Sequence, residues 1–184
     1  MTFLKYTTQE MLAQRPTVGI LKAKPRLPFY AAFENIRSLN NVGAMFRTSD
    51  SALVSKIFLT GTTGQPPHSS IDKTALGATD VVPWEYLKDS RAALLDLKAQ
   101  GVSIVALEIT KESIAYTDLT YSFPVCLIVG NEVTGVSDEL LDICNAAVQI
   151  PMLGRARSLN VATAYGIALF EILRQYRNLG IHHA

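Results

Sequence analysis

The apolar run Val125-Cys126-Leu127-Ile128-Val129 passes directly into Gly130-Asn131-Glu132, and this junction constrains the fold more than any other stretch of the chain. An uninterrupted apolar run of strand length has no polar face to present to water, so it belongs inside a sheet that is covered on both sides. Further strand-like runs occur at Phe29 to Phe33, Lys56 to Thr60, Val102 to Leu107 and Ala147 to Ile150. Between them the spacing predicts helices over Val42 to Leu53, Ser69 to Leu76, Arg91 to Gln100, near Asp138 to Cys144, and from about Asn160 to Tyr176. The last carries Val161, Ala164, Ile167, Ala168, Ile172 and Leu173 on one apolar stripe. The alternation predicts an α/β protein with a mostly parallel sheet and helices on both faces.

Upstream, Thr7-Thr8-Gln9-Glu10 has the pattern of a capping box, opening a short helix that Pro16 ends; a linker rich in Lys and Pro follows. Residues 1–28 therefore read as an N-terminal extension and residues 29–184 as one domain, a length that supports a sizeable core. No apolar run is long enough to cross a bilayer, and Met1-Thr2-Phe3-Leu4-Lys5 lacks the layout of a secretory signal, so a cytoplasmic protein is expected. Cys126 and Cys144 read as buried free thiols. His68 lies in a loop, and His182 and His183 lie in a terminal tail, so no metal site is expected.

Residues at the carboxyl ends of strands in open α/β sheets sit where ligands collect. The Glu132 carboxylate is at such an end, although a polar turn with Gly135 at positive φ explains the same residues without a ligand. Either Ser158 or Asn160 suits the N-cap of the last helix. Arg47 has the spacing of a helix-surface residue able to pair with Asp50. Phe33-Glu34-Asn35-Ile36-Arg37-Ser38 occupies the first strand-to-helix turn, where a dinucleotide-binding enzyme would carry Gly-x-Gly-x-x-Gly.

Three segments, taken in order, resemble the signature motifs of the SpoU (TrmH-like) branch of the SPOUT RNA methyltransferases. They are Asn41-Val42-Gly43-Ala44-Met45-Phe46-Arg47-Thr48, then Gly130-Asn131-Glu132-Val133-Thr134-Gly135, then Ile150-Pro151-Met152 with Ser158-Leu159-Asn160-Val161-Ala162. The resemblance runs from about Phe29 to Arg177. Unthreaded connections are the general rule, but the resemblance implies a deep C-terminal trefoil knot that forms the cofactor pocket. It implies S-adenosylmethionine as cofactor, held by Leu107, Gly130, Ile150, Met152, Ser158 and Leu159. It places Arg47, Asn41, Glu132, Ser158 and Asn160 in the catalytic machinery, and the reaction it implies is methylation of a ribose 2′-hydroxyl in RNA. A homodimer with the site at its interface is implied as well.

A net charge of +1 does not by itself advertise a nucleic-acid partner. Positive charge is clustered at Lys22, Lys24 and Arg26 and at Arg155 and Arg157, which suits either a solvated surface or RNA contact. With only about 28 residues outside the domain, no appended RNA-binding module fits, which favours tRNA over rRNA as substrate, with no DNA partner. The competing reading is a catalytically silent RNA-binding protein of the same fold; the joint presence of Asn41, Arg47, Glu132, Ser158 and Asn160 argues against it.

Overall fold

The computed structural model describes residues 3–180, so His182 and His183 lie outside the described residues. The chain runs through α1 (Thr8–Ala13), α2 (Val18–Ala23), β1 (Leu27–Glu34), α3 (Leu39–Ser51), β2 (Val54–Thr60) and α4 (Ser69–Ala75), then a 3-10 turn at Ala78–Asp80. There follow β3 (Trp84–Leu87), α5 (Ser90–Ala99), β4 (Ser103–Leu107), β5 (Ile114–Ala115), β6 (Val125–Val129), α6 (Asp138–Leu141), β7 (Ala146–Gln149) and α7 (Val161–Asn178). The strands form a single sheet in the order β3-β2-β1-β6-β4-β7-β5, and every pairing is parallel. The chain builds outward from β1 to β3, crosses to lay down β4 and β5, and then inserts β6 between β1 and β4 and β7 between β4 and β5.

The period-2 alternation of strands separates two apolar layers. Phe29, Ala31, Phe33, Leu127 and Val129 point to the side covered by α3, α4 and α7, where Met45, Phe46, Ile71, Tyr165, Leu169 and Ile172 complete the larger core. Ala32, Cys126, Ile128 and Ile104 point to the opposite side, against Leu94 of α5 and Leu140 and Ile143 around α6. At the centre of the larger core the Tyr165 hydroxyl meets Ser49 Oγ at 2.7 Å, so the one polar atom of that buried ring is satisfied. Cys126 is buried and Cys144 half-buried; both are free thiols that burial pushes up, Cys144 to about 11.

The capping box forms as expected: Thr7 Oγ1 accepts from the Glu10 amide while Glu10 accepts from the Thr7 amide. The expected linker, however, contains α2. Thr17 caps it by accepting from the Ile20 amide, a signal that the Lys and Pro content obscured. Neither α1 nor α2 buries a residue. The strands β3 and β5 also escaped the sequence reading, being short and only partly buried, without a long apolar run. Arg26 is committed to structure: it donates to the carbonyls of Val54 and Val81 and faces Asp50, whereas Lys22, Lys24, Arg155 and Arg157 are exposed.

Candidate active site

The carboxyl ends of β4, β6 and β7, with the start of α7, surround a cavity of about 460 Å³, within the size range of small-molecule sites. Leu107, Ile109, Ile150, Met152, Leu159, Val161 and Ala164 give it apolar walls; Gly130, Glu132, Ser158 and Asn160 stand at its polar side. All six residues expected around a cofactor, Leu107, Gly130, Ile150, Met152, Ser158 and Leu159, line it. The loop from 151 to 160 is open to solvent apart from half-buried Met152, so its backbone groups at the cavity are available to a ligand.

The loop after β6 is shaped by close backbone approach. A Cβ on Gly130 would lie 2.2 Å from the carbonyl carbon of Gly135 and from the amide nitrogen of Val136. Asn131 and Gly135 exchange backbone hydrogen bonds at 3.0 and 2.9 Å, and Gly135 turns the chain with φ 73°. The Asn131 side chain accepts from the amides of Val133 and Thr134 and donates to the Asn35 carbonyl, tying the loop to the first strand-to-helix turn.

Glu132 crosses to the start of α3. Its carboxylate accepts from the amides of Arg37 at 2.9 Å and Ser38 at 3.1 Å, and from Asn41 Nδ2 at 2.9 Å. Partial burial pushes this carboxyl up, but the bonds from the Arg37 amide, the Asn41 side chain and the Ser38 amide outweigh it, and the group ionises below its ordinary range. These amides occupy the position where a dinucleotide enzyme would hold a phosphate. Here the chain's own glutamate fills that anion site, which leaves the cavity between β4, β6 and β7 as the place for a ligand.

Asn41 passes the connection on. Its Oδ1 accepts from Asn160 Nδ2 at 3.0 Å, while Asn160 Oδ1 accepts from the amides of Ala162 and Thr163. Asn160, rather than Ser158, is therefore the N-cap of α7, and the same amide group links that cap to Asn41 and Glu132. Three of the five expected catalytic residues thus form one hydrogen-bonded chain at the cavity edge, and Ser158 lines the cavity beside them. Arg47 stands apart. It lies six residues beyond Asn41 along α3, about 9 Å of helix rise. It is exposed, does not line the cavity and does not pair with Asp50, which instead faces Arg26 and Arg15.

Two further carboxylates, missed in the sequence, brace the loop. Buried Glu34 accepts from the Ser137 amide at 2.9 Å and from its hydroxyl at 2.6 Å. Glu108 accepts from the Val136 amide at 2.9 Å. The available signal was an acidic residue placed directly at the end of an apolar strand run, as with Glu132. Among the described residues no cluster of His, Cys, Asp and Glu is suited to a metal.

The SpoU rRNA methylase family profile matches residues 28–170, spanning the sheet, the loops and most of α7. The chain belongs to the SpoU methylase family. It is 34% identical over 179 residues to the tRNA (guanosine(18)-2'-O)-methyltransferase of Aquifex aeolicus (strain VF5), covering 97% of this chain and 83% of that one. The crystal structure of the A. aeolicus TrmH/SpoU tRNA modifying enzyme superposes with a TM-score of 0.79 at 31% identity, over 89% of this chain and 82% of that one. An AdoMet-bound rRNA methyltransferase from Sinorhizobium meliloti superposes with a TM-score of 0.76 at 33% identity, over 86% of this chain and 60% of that one. As a SpoU family member, the chain carries its three motif segments on the loops after β6 and β7 and on α3.

Proposed function

We propose that this protein is an S-adenosylmethionine-dependent RNA methyltransferase that methylates a ribose 2′-hydroxyl, with tRNA as substrate in preference to rRNA. The observation that carries the reading is the cavity at the carboxyl ends of β4, β6 and β7, walled by the motif segments of a SpoU family chain and edged by the Glu132–Asn41–Asn160 connection. The apolar walls from Leu107, Ile150, Met152 and Leu159 suit the adenosine part of the cofactor, and the open backbone near Ser158 supplies N–H and C=O groups for an adenine edge. A tRNA substrate implies a cytoplasmic protein; among the described residues, no helix is long and apolar enough to cross a membrane.

S-adenosylmethionine brings an electrophilic methyl group and its own leaving group. What the protein supplies is alignment of the ribose oxygen with that methyl group and stabilisation of the charge that develops on the oxygen. Arg47 is the residue for the second task. A guanidinium is a poor base, so Arg47 acts as a fixed cation against the forming alkoxide while the proton leaves to phosphate or water. Glu132, Asn41 and Asn160 act one step back, fixing the start of α3 relative to the cavity. Arg47 is not a wall of the cavity in its own chain, which fits a homodimer whose active site is completed at the subunit interface, with the C-terminal segment knotted as in the family. The low net charge supports the same arrangement, because two subunits pool their basic surfaces.

The test is incubation with radiolabelled S-adenosylmethionine and, separately, unmodified total tRNA and rRNA, followed by nucleoside analysis. A 2′-O-methylnucleoside in the tRNA pool is the expected result. Label only in rRNA reverses the substrate assignment, and failure to bind S-adenosylmethionine at all favours the silent RNA-binding protein.

A further inference from the structure

Among the described residues, the cavity wall contains two carboxylates, Glu108 and Glu132, and no lysine, arginine or histidine. Glu132 takes three hydrogen bonds at the N-terminal end of α3, where the helix dipole offsets its charge. Glu108 is held differently. It follows β4 directly, with Oε2 accepting from the Val136 amide at 2.9 Å and Oε1 from the Ile109 amide at 2.8 Å. Gly135, whose φ of 73° favours glycine, packs directly on this carboxylate, 2.2 Å separating Oε2 from where a Cβ would stand. Glu108 forms no ion pair among the described residues. Its position is fixed by backbone donors rather than by a salt-bridged cation among the described residues.

We propose that Glu108 makes the cavity selective for a positively charged sulfonium donor over the neutral thioether left after transfer. This rests on the methyltransferase reading above. In the reaction the methyl group moves from sulfur to the ribose oxygen, sulfur keeps the bonding electron pair, and the hydroxyl loses its proton. The sulfonium thereby becomes a neutral thioether, and the bound molecule loses one positive charge. A fixed carboxylate in a cleft walled by Leu107, Ile109, Ile150 and Leu159 acts through a medium less polarisable than water, so its field is felt across the cavity. That field attracts the sulfonium of the donor, whereas the product offers only the ammonium of the amino-acid part, which the donor carries as well. Glu108 is a specificity-determining residue in this account, favouring product release.

Calorimetric affinities for S-adenosylmethionine and S-adenosylhomocysteine, measured on the wild-type protein and on Glu108→Gln without RNA, test this directly. The two ligands share adenosine and amino-acid parts, so a distorted loop weakens both and leaves their affinity ratio unchanged. Loss of the charge weakens the sulfonium ligand more than the thioether and so shrinks the ratio. The expected result is a wild-type preference for S-adenosylmethionine that shrinks by about fivefold or more in Glu108→Gln, survives in Glu108→Asp, and narrows with added salt in the wild type. An unchanged ratio in Glu108→Gln overturns the assignment. Should that variant fail to fold, a wild-type ratio that is indifferent to salt overturns it instead. Binding of neither ligand by the wild-type protein overturns the methyltransferase reading itself, an outcome distinct from both.

Discussion

Replacing Gly130 with alanine tests whether the loop after β6 shapes the cavity through backbone contact. The added Cβ would lie 2.2 Å from Gly135 C and Val136 N and 2.3 Å from Gly135 O, against ordinary contact at 3.4 Å or more. All three obstacles are backbone, so relief requires displacing the Gly135–Val136 segment by about 1 Å, on the scale of overpacking in a tight core. That movement strains the paired bonds between Asn131 and Gly135 and the bond from the Val136 amide to Glu108. Overpacking costs about 1–3 kcal/mol, and each weakened hydrogen bond adds about 1 kcal/mol. With partial relaxation of the loop the sum is roughly 2–4 kcal/mol, which lowers Tm by roughly 5–15 °C in a chain of this size. Because the segment that moves is part of the cavity wall, affinity for S-adenosylmethionine should fall more than about tenfold, a loss of over 1.4 kcal/mol. Gly154→Ala is the control: nothing lies within 4 Å of its Cβ, so both Tm and affinity should stay at wild-type values. Thermal melts and calorimetry on the two variants decide the matter. A Gly130→Ala protein with Tm within about 2 °C of wild type and affinity within about twofold would refute the argument.

Arg47→Ala should change stability by less than about 0.5 kcal/mol, as for an exposed side chain without a bonded partner among the described residues, and leave cofactor affinity intact. Single-turnover methyl transfer should fall at least about 100-fold, and retention of most of the rate removes Arg47 from the chemistry. Asn160→Asp keeps an acceptor for the amides of Ala162 and Thr163 but loses the donor to Asn41, so the melt should hold while turnover drops. Asn160→Ala should additionally cost about 1 kcal/mol of stability through the lost cap, as read from denaturant titrations of both variants. Glu132 and Glu171 ionise below the ordinary value of 4.5, Glu171 because Arg174 and Gln175 bond its carboxylate. Their stabilisation is present above that pH and disappears as pH falls through the lowered values. Burial raises Asp50 above 3.8 against the opposing charges of Arg26 and Arg15, so its contribution runs the other way and is lost as pH rises through the raised value. Urea melts over the acid range should therefore show a shallower loss of stability in Glu171→Gln than in wild type; an equal slope denies Glu171 that role.

Strand and helix assignments were legible where burial is periodic and local. The apolar run of β6, the stripe of α7 and the Thr7 capping box each express one element's own surroundings, and each is found where its pattern puts it. The stripe of α7 divides its work: Ala168, Ile172 and Leu173 enter the core, whereas Val161 and Ala164 turn to the cavity. Elements that bury little, such as α2, β3 and β5, leave no such pattern and were lost in linkers and turns.

The sequence by itself determined the α/β class and the places where strands end and helices begin, because strand ends, glycines and caps are local statements of backbone geometry; six residues of the cavity wall were implied by the resemblance of the motif segments to the SpoU branch. Tertiary structure alone decided how those residues are connected. Glu132 bonds residues more than 90 positions away, Glu34 reaches Ser137 across 103 positions, and Asn160 reaches Asn41 across 119. It decided as well that the amides at the start of α3 receive a glutamate, that Glu108 joins the cavity wall, and that Arg47 stands off it. The reason is that hydrogen bonds and charge act through space. Their partners are fixed by the insertion of β6 and β7 between earlier strands, which no local window of the chain contains.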